Sequence, residues 1–275
     1  MANYNNRGEF LLEALNVRVV GQGQSIIVFS HGFGSDQSVW SRVIPSFTRA
    51  YRVISFDLMC SGSCDPTNYD FQRYATLDGY VDDLLSFLDA LEIDRCAFVG
   101  HSVSAMIGLL AAIHRPNLFS RLILIGGSPR FTNDGNYIGG IDPAHMEEVF
   151  RRMESNYESW VAGFVPMALG ADVPDMALQE FSRTLFSMRP DIALHVARTA
   201  FAADLRHVLG LVRVPVCIIQ SSVDLSVPPA VAEYMRRHLG GPTVLEFLPT
   251  HGHLPHVSSP APVANAIQQL LRRRF

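Results

Sequence analysis

Short apolar runs alternate with longer stretches of helical periodicity along most of the chain. The apolar runs are rich in β-branched residues and predict strands; they cover residues 17–20, 26–30, 51–56, 96–100, 122–125, 216–220 and 244–248. Helical spacing follows at residues 75–91, 103–114 and 261–273. This alternation indicates an α/β fold, in which a mostly parallel sheet carries helices on both faces.

The alternation is interrupted once, between residues 133 and 207. No strand is predicted there, and helical spacing recurs at residues 146–153, 157–164, 177–186 and 192–203. Glycines and a proline near the start of this stretch are typical of a segment that leaves a sheet. We therefore predict a core of residues 1–132 and 208–275, with residues 133–207 as a four-helix insertion.

Composition narrows the possible partners. The chain has 275 residues, 48% of them hydrophobic, and a net charge of −4 at pH 7, which suits one large domain with an insertion. The basic residues are scattered apart from the triple arginine at 272–274, so we expect no nucleic-acid partner. The longest apolar run, residues 105–113, is shorter than the roughly 18 residues that cross a bilayer. Residues 1–10 are too polar for a signal peptide, so we expect a soluble intracellular protein without a membrane partner.

The four cysteines do not predict a disulfide framework or a metal site. Only Cys60 and Cys64 are close in sequence, and they lack the second pair of ligands that structural zinc needs. Cys96 and Cys217 lie in apolar strand-like runs, where buried thiols are expected. We expect no metal and no organic cofactor.

A candidate nucleophile follows the predicted strand at residues 96–100. Ser102 lies in the segment Gly100-His101-Ser102-Val103-Ser104, between that strand and a helix. This is the context of the nucleophile elbow, although the usual G-x-S-x-G has glycine where Ser104 stands. The alternative is an ordinary serine that caps the helix.

A serine hydroxyl needs a base that is itself oriented by an acid. In the order Ser, Asp, His, Asp224 follows the strand at 216–220 and His253 follows the strand at 244–248. Asp224 alone could equally form a turn. Spacing also leaves His251 open as the base. The occurrence of all three features in order favours a catalytic triad.

The oxyanion that forms when a serine attacks needs two N–H donors. We predict the amide of Val103, which follows the nucleophile at the start of a helix, and the amide of Phe33. Phe33 lies in His31-Gly32-Phe33-Gly34 after the strand at 26–30. A plain turn is the alternative for this glycine-rich stretch.

Longer strings of residues resemble those of a known family. They are HGFG at 31–34, DQSVW at 36–40, GHSVSAMIG at 100–108, SPR at 128–130, EFSRTLF at 180–186, MRPDIAL at 188–194 and GHLP at 252–255. Nearly end to end, the chain resembles the plant karrikin and strigolactone receptors, a group of α/β-hydrolases. That family also carries serine at the place of Ser104.

The resemblance implies an α/β-hydrolase fold with a mostly parallel eight-stranded sheet and a helical lid at residues 133–207. It implies a triad of Ser102, Asp224 and His253, which selects His253 as the base. Phe33 would also line an apolar pocket together with Phe131, Val149, Trp160, Phe164, Phe181, Phe201, Leu225 and Ser226. Two positions depart from the family: Phe131 replaces an expected tyrosine and Ile141 an expected phenylalanine, which leaves the identity of the ligand open.

The function implied is that of a butenolide receptor with slow serine-hydrolase activity on ester or lactone bonds. The family also implies an F-box protein and a repressor as partners, a monomer, and a location in cytoplasm and nucleus. Two alternatives remain: a metabolic carboxylesterase without signalling, or a binding receptor with a vestigial triad. Dehalogenases and epoxide hydrolases of this fold need an aspartate where Ser102 stands.

Overall fold

The computed structural model describes residues 2–59, 61–170 and 173–275 of the chain. Cys60 lies outside the described residues, as do Met1 at the start of the chain and residues 171 and 172 in the predicted insertion. The expectation that Cys60 and Cys64 form no disulfide framework or zinc site therefore lies outside the described residues. Cys96 and Cys217 are buried free thiols, and burial raises the pKa of Cys96 to about 12.

Seven strands form one sheet within the described residues. They are β1 (Arg18–Val20), β2 (Ser25–Ser30), β3 (Tyr51–Phe56), β4 (Cys96–His101), β5 (Phe119–Ile125), β6 (Val216–Val223) and β7 (Thr243–His251). Their order is β1-β3-β2-β4-β5-β6-β7, with β1 antiparallel to β3 and all other pairs parallel. The prediction of a mostly parallel sheet flanked by helices is confirmed.

The prediction of eight strands is wrong for the described residues. The seven apolar runs of the sequence give the seven strands, and the chain before β1 forms a helix, α1 (Ala2–Ala14). α1 packs against α2 (Asp78–Ala90), which follows β3 on the sheet's face. The N-terminal segment is therefore used to cover a helix rather than to extend the sheet.

Further helices flank the sheet or lie in the long segment between β5 and β6. They are α3 (Val103–His114), α4 (Pro143–Ser155), α5 (Tyr157–Leu169), α6 (Asp175–Ser187), α7 (Pro190–Phe201), α8 (Pro229–His238), α9 (Pro255–Ser258) and α10 (Pro260–Arg272). Helices α4 to α7 occupy the segment for which helical spacing was predicted. No helix among the described residues is long and apolar enough to cross a bilayer.

The central strands explain where the chemistry is placed. Every residue of β4 is buried, which fits a parallel strand that carries helices on both faces. Because β2, β4, β6 and β7 run parallel, their carboxyl ends meet at one edge of the sheet, where ligand sites of such sheets form. The segments at 31–34 and 102–104 and the residues Asp224 and His253 all follow these ends.

Close packing of α3 on β4 predicts a large effect from one added methyl group. A Cβ at Gly108 of α3 would lie 2.2 Å from Cε1 of Phe98, whose ring is fully buried in the core. We expect Gly108→Ala to lower the free energy of unfolding by about 1–3 kcal/mol, measured by urea denaturation.

Gly163→Ala is the matched control, because a Cβ there meets no atom within 4 Å. Gly163 lies inside α5, so alanine should leave stability unchanged or raise it by up to about 1 kcal/mol. Equal stability of Gly108→Ala and the wild type would contradict the packing described here.

Candidate active site

Ser102 stands on a strained turn between β4 and α3. Its backbone has φ 54° and ψ −118°, a region that non-glycine residues rarely occupy. Gly100 makes the turn possible, since a Cβ there would lie 2.6 Å from the carbonyl oxygen of Ser104. The turn therefore has the geometry of a nucleophile elbow, which brings the hydroxyl to the carboxyl edge of the sheet.

Ser104 has a structural use at the position where G-x-S-x-G has glycine. Its hydroxyl lies 2.7 Å from Oγ of Ser30 and also donates to the carbonyl of His31. These contacts connect the first turn of α3 to the end of β2. Serine in place of the motif's glycine therefore links the elbow to the loop that was predicted to hold the oxyanion.

The structure brings the three predicted triad residues together. Nε2 of His253 lies 2.9 Å from Oγ of Ser102, and its Nδ1 lies 2.8 Å from Oδ2 of Asp224. All three side chains are buried. His251 is exposed at the end of β7, so the histidine in contact with the serine is His253.

Asp224 is held as an anion that can orient the imidazole. Its Oδ1 accepts the backbone N–H groups of Ser226 and Val227 at 2.8 and 3.0 Å, while Oδ2 faces His253. Burial by itself raises the pKa of the carboxyl, but the charge of His253 and these hydrogen bonds outweigh it. The pKa of Asp224 is therefore lowered, and Nδ1 of His253 carries the proton that Oδ2 accepts.

The loop after β2 lies against the elbow. A Cβ on Gly32 would lie 2.4 Å from Nδ1 of His101 and 3.1 Å from Cβ of Ser102, so glycine lets the loop approach the elbow this closely. Nδ1–H of His31 donates to the carbonyl of Gly32 at 2.8 Å, and its Nε2 accepts the N–H of Leu58, which fixes the loop. Within the part of the chain that the structure describes, the amides of Phe33 and Val103 have no partner, so both donors are free for a ligand oxygen.

A cavity of about 430 Å³ opens above Ser102 and His253. It is bounded by residues of helices α4 to α7 and by the ends of the strands. The nine residues predicted for the pocket all line it: Phe33, Phe131, Val149, Trp160, Phe164, Phe181, Phe201, Leu225 and Ser226. Six of the nine carry Phe or Trp rings, and these rings pack on one another: Trp160 stacks on Phe164 at 4.7 Å and Phe33 meets Phe201 edge-on at 5.3 Å.

Sequence reasoning missed part of the lining. Apolar additions are Met146, Met167 and Leu254, while Ile141, which the resemblance had already singled out, also lines the cavity. Polar additions include Arg152 of α4, Ser159 of α5 and Asn156 between the two helices. Methionines at helical spacing in the insertion were a usable signal for Met146. The polar residues gave none, because polar positions of a helix are ordinarily exposed to solvent.

Comparison with known proteins agrees with this geometry. The model of the alpha/beta hydrolase family matches residues 27–266. The chain is 60% identical to strigolactone esterase D14 of Arabidopsis thaliana, over 96% of this chain and 98% of that protein. It is 50% identical to karrikin insensitive 2 receptor IA of Petunia hybrida, over 91% of both chains.

The chain belongs to the alpha/beta hydrolase family. The resemblance to strigolactone and karrikin receptors predicted from its motifs is confirmed by these identities. Among solved structures, a hydrolase from Oleispira antarctica superimposes with a TM-score of 0.93 at 29% identity, covering 97% of this chain and 98% of that one. The alpha/beta hydrolase fold therefore extends over nearly the whole chain.

The loop that carries the base in this hydrolase depends on glycine at 252. Gly252 has φ +84°, and a Cβ there would lie 1.9 Å from the carbonyl oxygen of Leu169 at the end of α5. Backbone on backbone cannot relax by a side-chain rotation, so we expect Gly252→Ala to displace His253 and to lower kcat for ester cleavage at least about 10-fold.

Gly135→Ala provides the comparison for this substitution. Gly135 also has positive φ, +56°, but a Cβ there meets nothing within 4 Å. The Gly135→Ala variant should lose about 1 kcal/mol of stability and keep kcat within about twofold of the wild type. A Gly252→Ala enzyme with wild-type kcat would show that the close approach to α5 does not position the base.

Buried neutral histidines beside the site predict acid sensitivity. Burial, followed by the charges of His253, His31 and Arg42, lowers the pKa of His256 to about 3. Below pH 6.5 the unfolded chain binds a proton at this histidine that the folded chain does not bind. The free energy of unfolding should then fall by about 1.4 kcal/mol per pH unit for this group as pH drops from 6.5 toward 3.

Denaturation of the wild type and of His256→Met at pH 8 and pH 5 measures this contribution. At pH 8 the histidine is neutral in both states, so the difference there reports lost packing alone. Between the two pH values, the variant should lose about 2 kcal/mol less than the wild type. The same loss in both proteins would mean that His256 is protonated in the folded state.

Proposed function

We propose that the chain is a receptor for butenolide-type small molecules that retains slow serine-hydrolase activity on ester or lactone bonds. The observation that supports this most is the pair of hydrogen bonds at 2.9 and 2.8 Å that joins Ser102, His253 and Asp224 at the base of an apolar cavity. The relatives named above, an esterase of strigolactones and a karrikin receptor, support the class of ligand.

The reaction begins with transfer of a proton. As Oγ of Ser102 attacks the carbonyl carbon of the ligand, Nε2 of His253 accepts the hydroxyl proton. Asp224 keeps the other ring nitrogen protonated and stabilises the imidazolium that forms. The carbonyl oxygen becomes an oxyanion, which the N–H groups of Phe33 and Val103 stabilise.

The tetrahedral intermediate then collapses. Its C–O bond to the leaving group breaks, and the imidazolium gives its proton to the departing oxygen. Water, deprotonated by the same imidazole, attacks the acyl-serine and releases the acid and free Ser102. No step in this sequence uses a metal or an organic cofactor.

Residues 133–207 act in this proposal as a lid over the cavity, with residues 1–132 and 208–275 as the core. Phe131 lies at the core side of the cavity, buried against Phe201 at 5.0 Å, where a tyrosine would add a hydroxyl. Ligand preference should therefore differ from that of relatives with tyrosine at this position. Higher identity to the strigolactone esterase, 60% against 50%, favours a strigolactone-like butenolide.

The proposed receptor also binds protein partners. An F-box protein and a repressor target would bind a monomeric receptor in cytoplasm and nucleus, as the family resemblance implies. On helix α6, the side chains of Met176 and Phe186 are exposed by 63% and 50%, which supports a protein-binding surface on the insertion. Helices that close a cavity are also suited to report whether it is occupied.

Ser102→Ala tests the proposed chemistry. Loss of the nucleophile should reduce cleavage of a butenolide ester probe by about 10³-fold or more, while the melting temperature stays within a few degrees. Binding of the intact butenolide, measured by calorimetry, should persist because the cavity wall is unchanged. Cleavage at the wild-type rate would contradict the role of Ser102.

Turnover of the wild type separates receptor from metabolic enzyme. A kcat on good esters well below about 1 s⁻¹ supports the receptor, since ordinary enzymes run near 10 s⁻¹. Ligand-dependent capture of an F-box protein by wild-type chain supports signalling. Rapid turnover without such capture would instead support a carboxylesterase.

A further inference from the structure

A second buried histidine contacts the backbone of the proposed base. His101 is the last residue of β4 and directly precedes Ser102. Its Nε2 lies 2.8 Å from the carbonyl oxygen of His253, and the two rings are 4.8 Å apart. Because a carbonyl oxygen only accepts, Nε2 of His101 must carry the proton of this hydrogen bond.

The other side of the His101 ring is enclosed. Nδ1 has no hydrogen-bond partner among the described residues, and a Cβ on Gly32 would lie 2.4 Å from it. The ring of His256 packs on it at 4.5 Å. Burial, with the neighbouring His256 and His253, lowers the pKa of His101 well below 6.5, so the ring is neutral with its proton on Nε2.

The backbone of His253 is fixed through both of its polar groups. Its N–H donates to the carbonyl of Ala168 at the end of α5, at 2.6 Å, and its C=O accepts from His101. Gly252, which precedes it, adds no side chain that could restrain the loop. The hydrogen bond from His101 therefore fixes one of the two peptide groups that set the position of the imidazole.

We infer that His101 is a positioning residue for the hydrolytic reaction. Its neutral Nε2–H holds the carbonyl of His253, which keeps Nε2 of His253 within reach of the Ser102 proton. His101 thus connects the strand that presents the nucleophile to the loop that presents the base. The inference rests on the proposed hydrolase function, because only a reaction that uses His253 as base depends on this distance.

Two substitutions of His101 differ in whether a donor remains. His101→Gln keeps an N–H group that can reach the carbonyl of His253, whereas His101→Met fills similar space without a donor. We expect His101→Met to lower kcat for an ester probe about 10- to 100-fold with KM within about threefold. His101→Gln should restore kcat to within about fivefold of the wild type.

His256→Met is the matched control, because His256 is an equally buried ring that contacts His101 but makes no hydrogen bond to His253 within the described chain. Its kcat should stay within about threefold of the wild type. Equal kcat in His101→Met and the wild type would overturn the inference. Equal losses in His101→Met, His101→Gln and His256→Met would also overturn it, since they would report packing alone.

Nitrogen-15 NMR of the histidine rings tests the inference without any variant. His101 should show the Nε2–H tautomer and should not titrate between pH 8 and 5.5. A proton on Nδ1 of His101 would overturn the inference, and this measurement also decides the matter if His101→Met does not fold.

Failure of the proposed function has a different signature. In that case wild-type Ser102 would neither cleave ester probes nor react with a fluorophosphonate. Failure of the inference alone would leave an active wild type together with a His101→Met variant of equal activity.

Discussion

The hydrogen bond between Ser102 and His253 joins two segments that are 151 residues apart in sequence. One partner stands on a strained turn at the end of β4, and the other lies in the loop after β7. Two further strands separate them in the sheet. The parallel sheet therefore holds the two segments so that Nε2 of His253 lies 2.9 Å from Oγ of Ser102. The other residues of the site maintain this distance.

Neighbouring residues hold Ser102 in its strained backbone conformation. A non-glycine residue at φ 54° costs on the order of 1–3 kcal/mol and persists only where neighbouring structure enforces it. Here the neighbours are the buried β4 strand, the glycine at 100 and the hydroxyl of Ser104, which binds the end of β2. These contacts place the nucleophile and the oxyanion loop side by side before any ligand enters.

The helices between β5 and β6 line the cavity and also contact the loop that carries the base. Helix α5 ends against the base loop, where the carbonyl of Ala168 accepts the N–H of His253 and the carbonyl of Leu169 closely approaches Gly252. A movement of α5 on ligand binding would therefore displace the loop that carries His253. The insertion thus lines the cavity, contacts the loop that carries the base through α5, and presents Met176 and Phe186 of α6 to solvent. Such an arrangement suits a protein in which hydrolysis and reporting of ligand are coupled.

The sequence by itself determined the alternation of strands and helices, the helical nature of the insertion and the family, because apolar periodicity and local motifs are properties of short segments. Helix α3 was predicted with its observed bounds, and the seven apolar runs became the seven strands of the described sheet, whereas the count of eight strands had come from the resemblance alone. Ser102 and its turn were evident for the same local reason. Spacing left His251 and His253 open and the family resemblance selected His253, which the structure places against Ser102. Only the tertiary structure decided that Asn156 and Ser159 border the cavity and that His101 and Ala168 hold the backbone of the base. These contacts join residues far apart in the chain, and the packing of helices on the sheet sets them, so no spacing along the sequence records them.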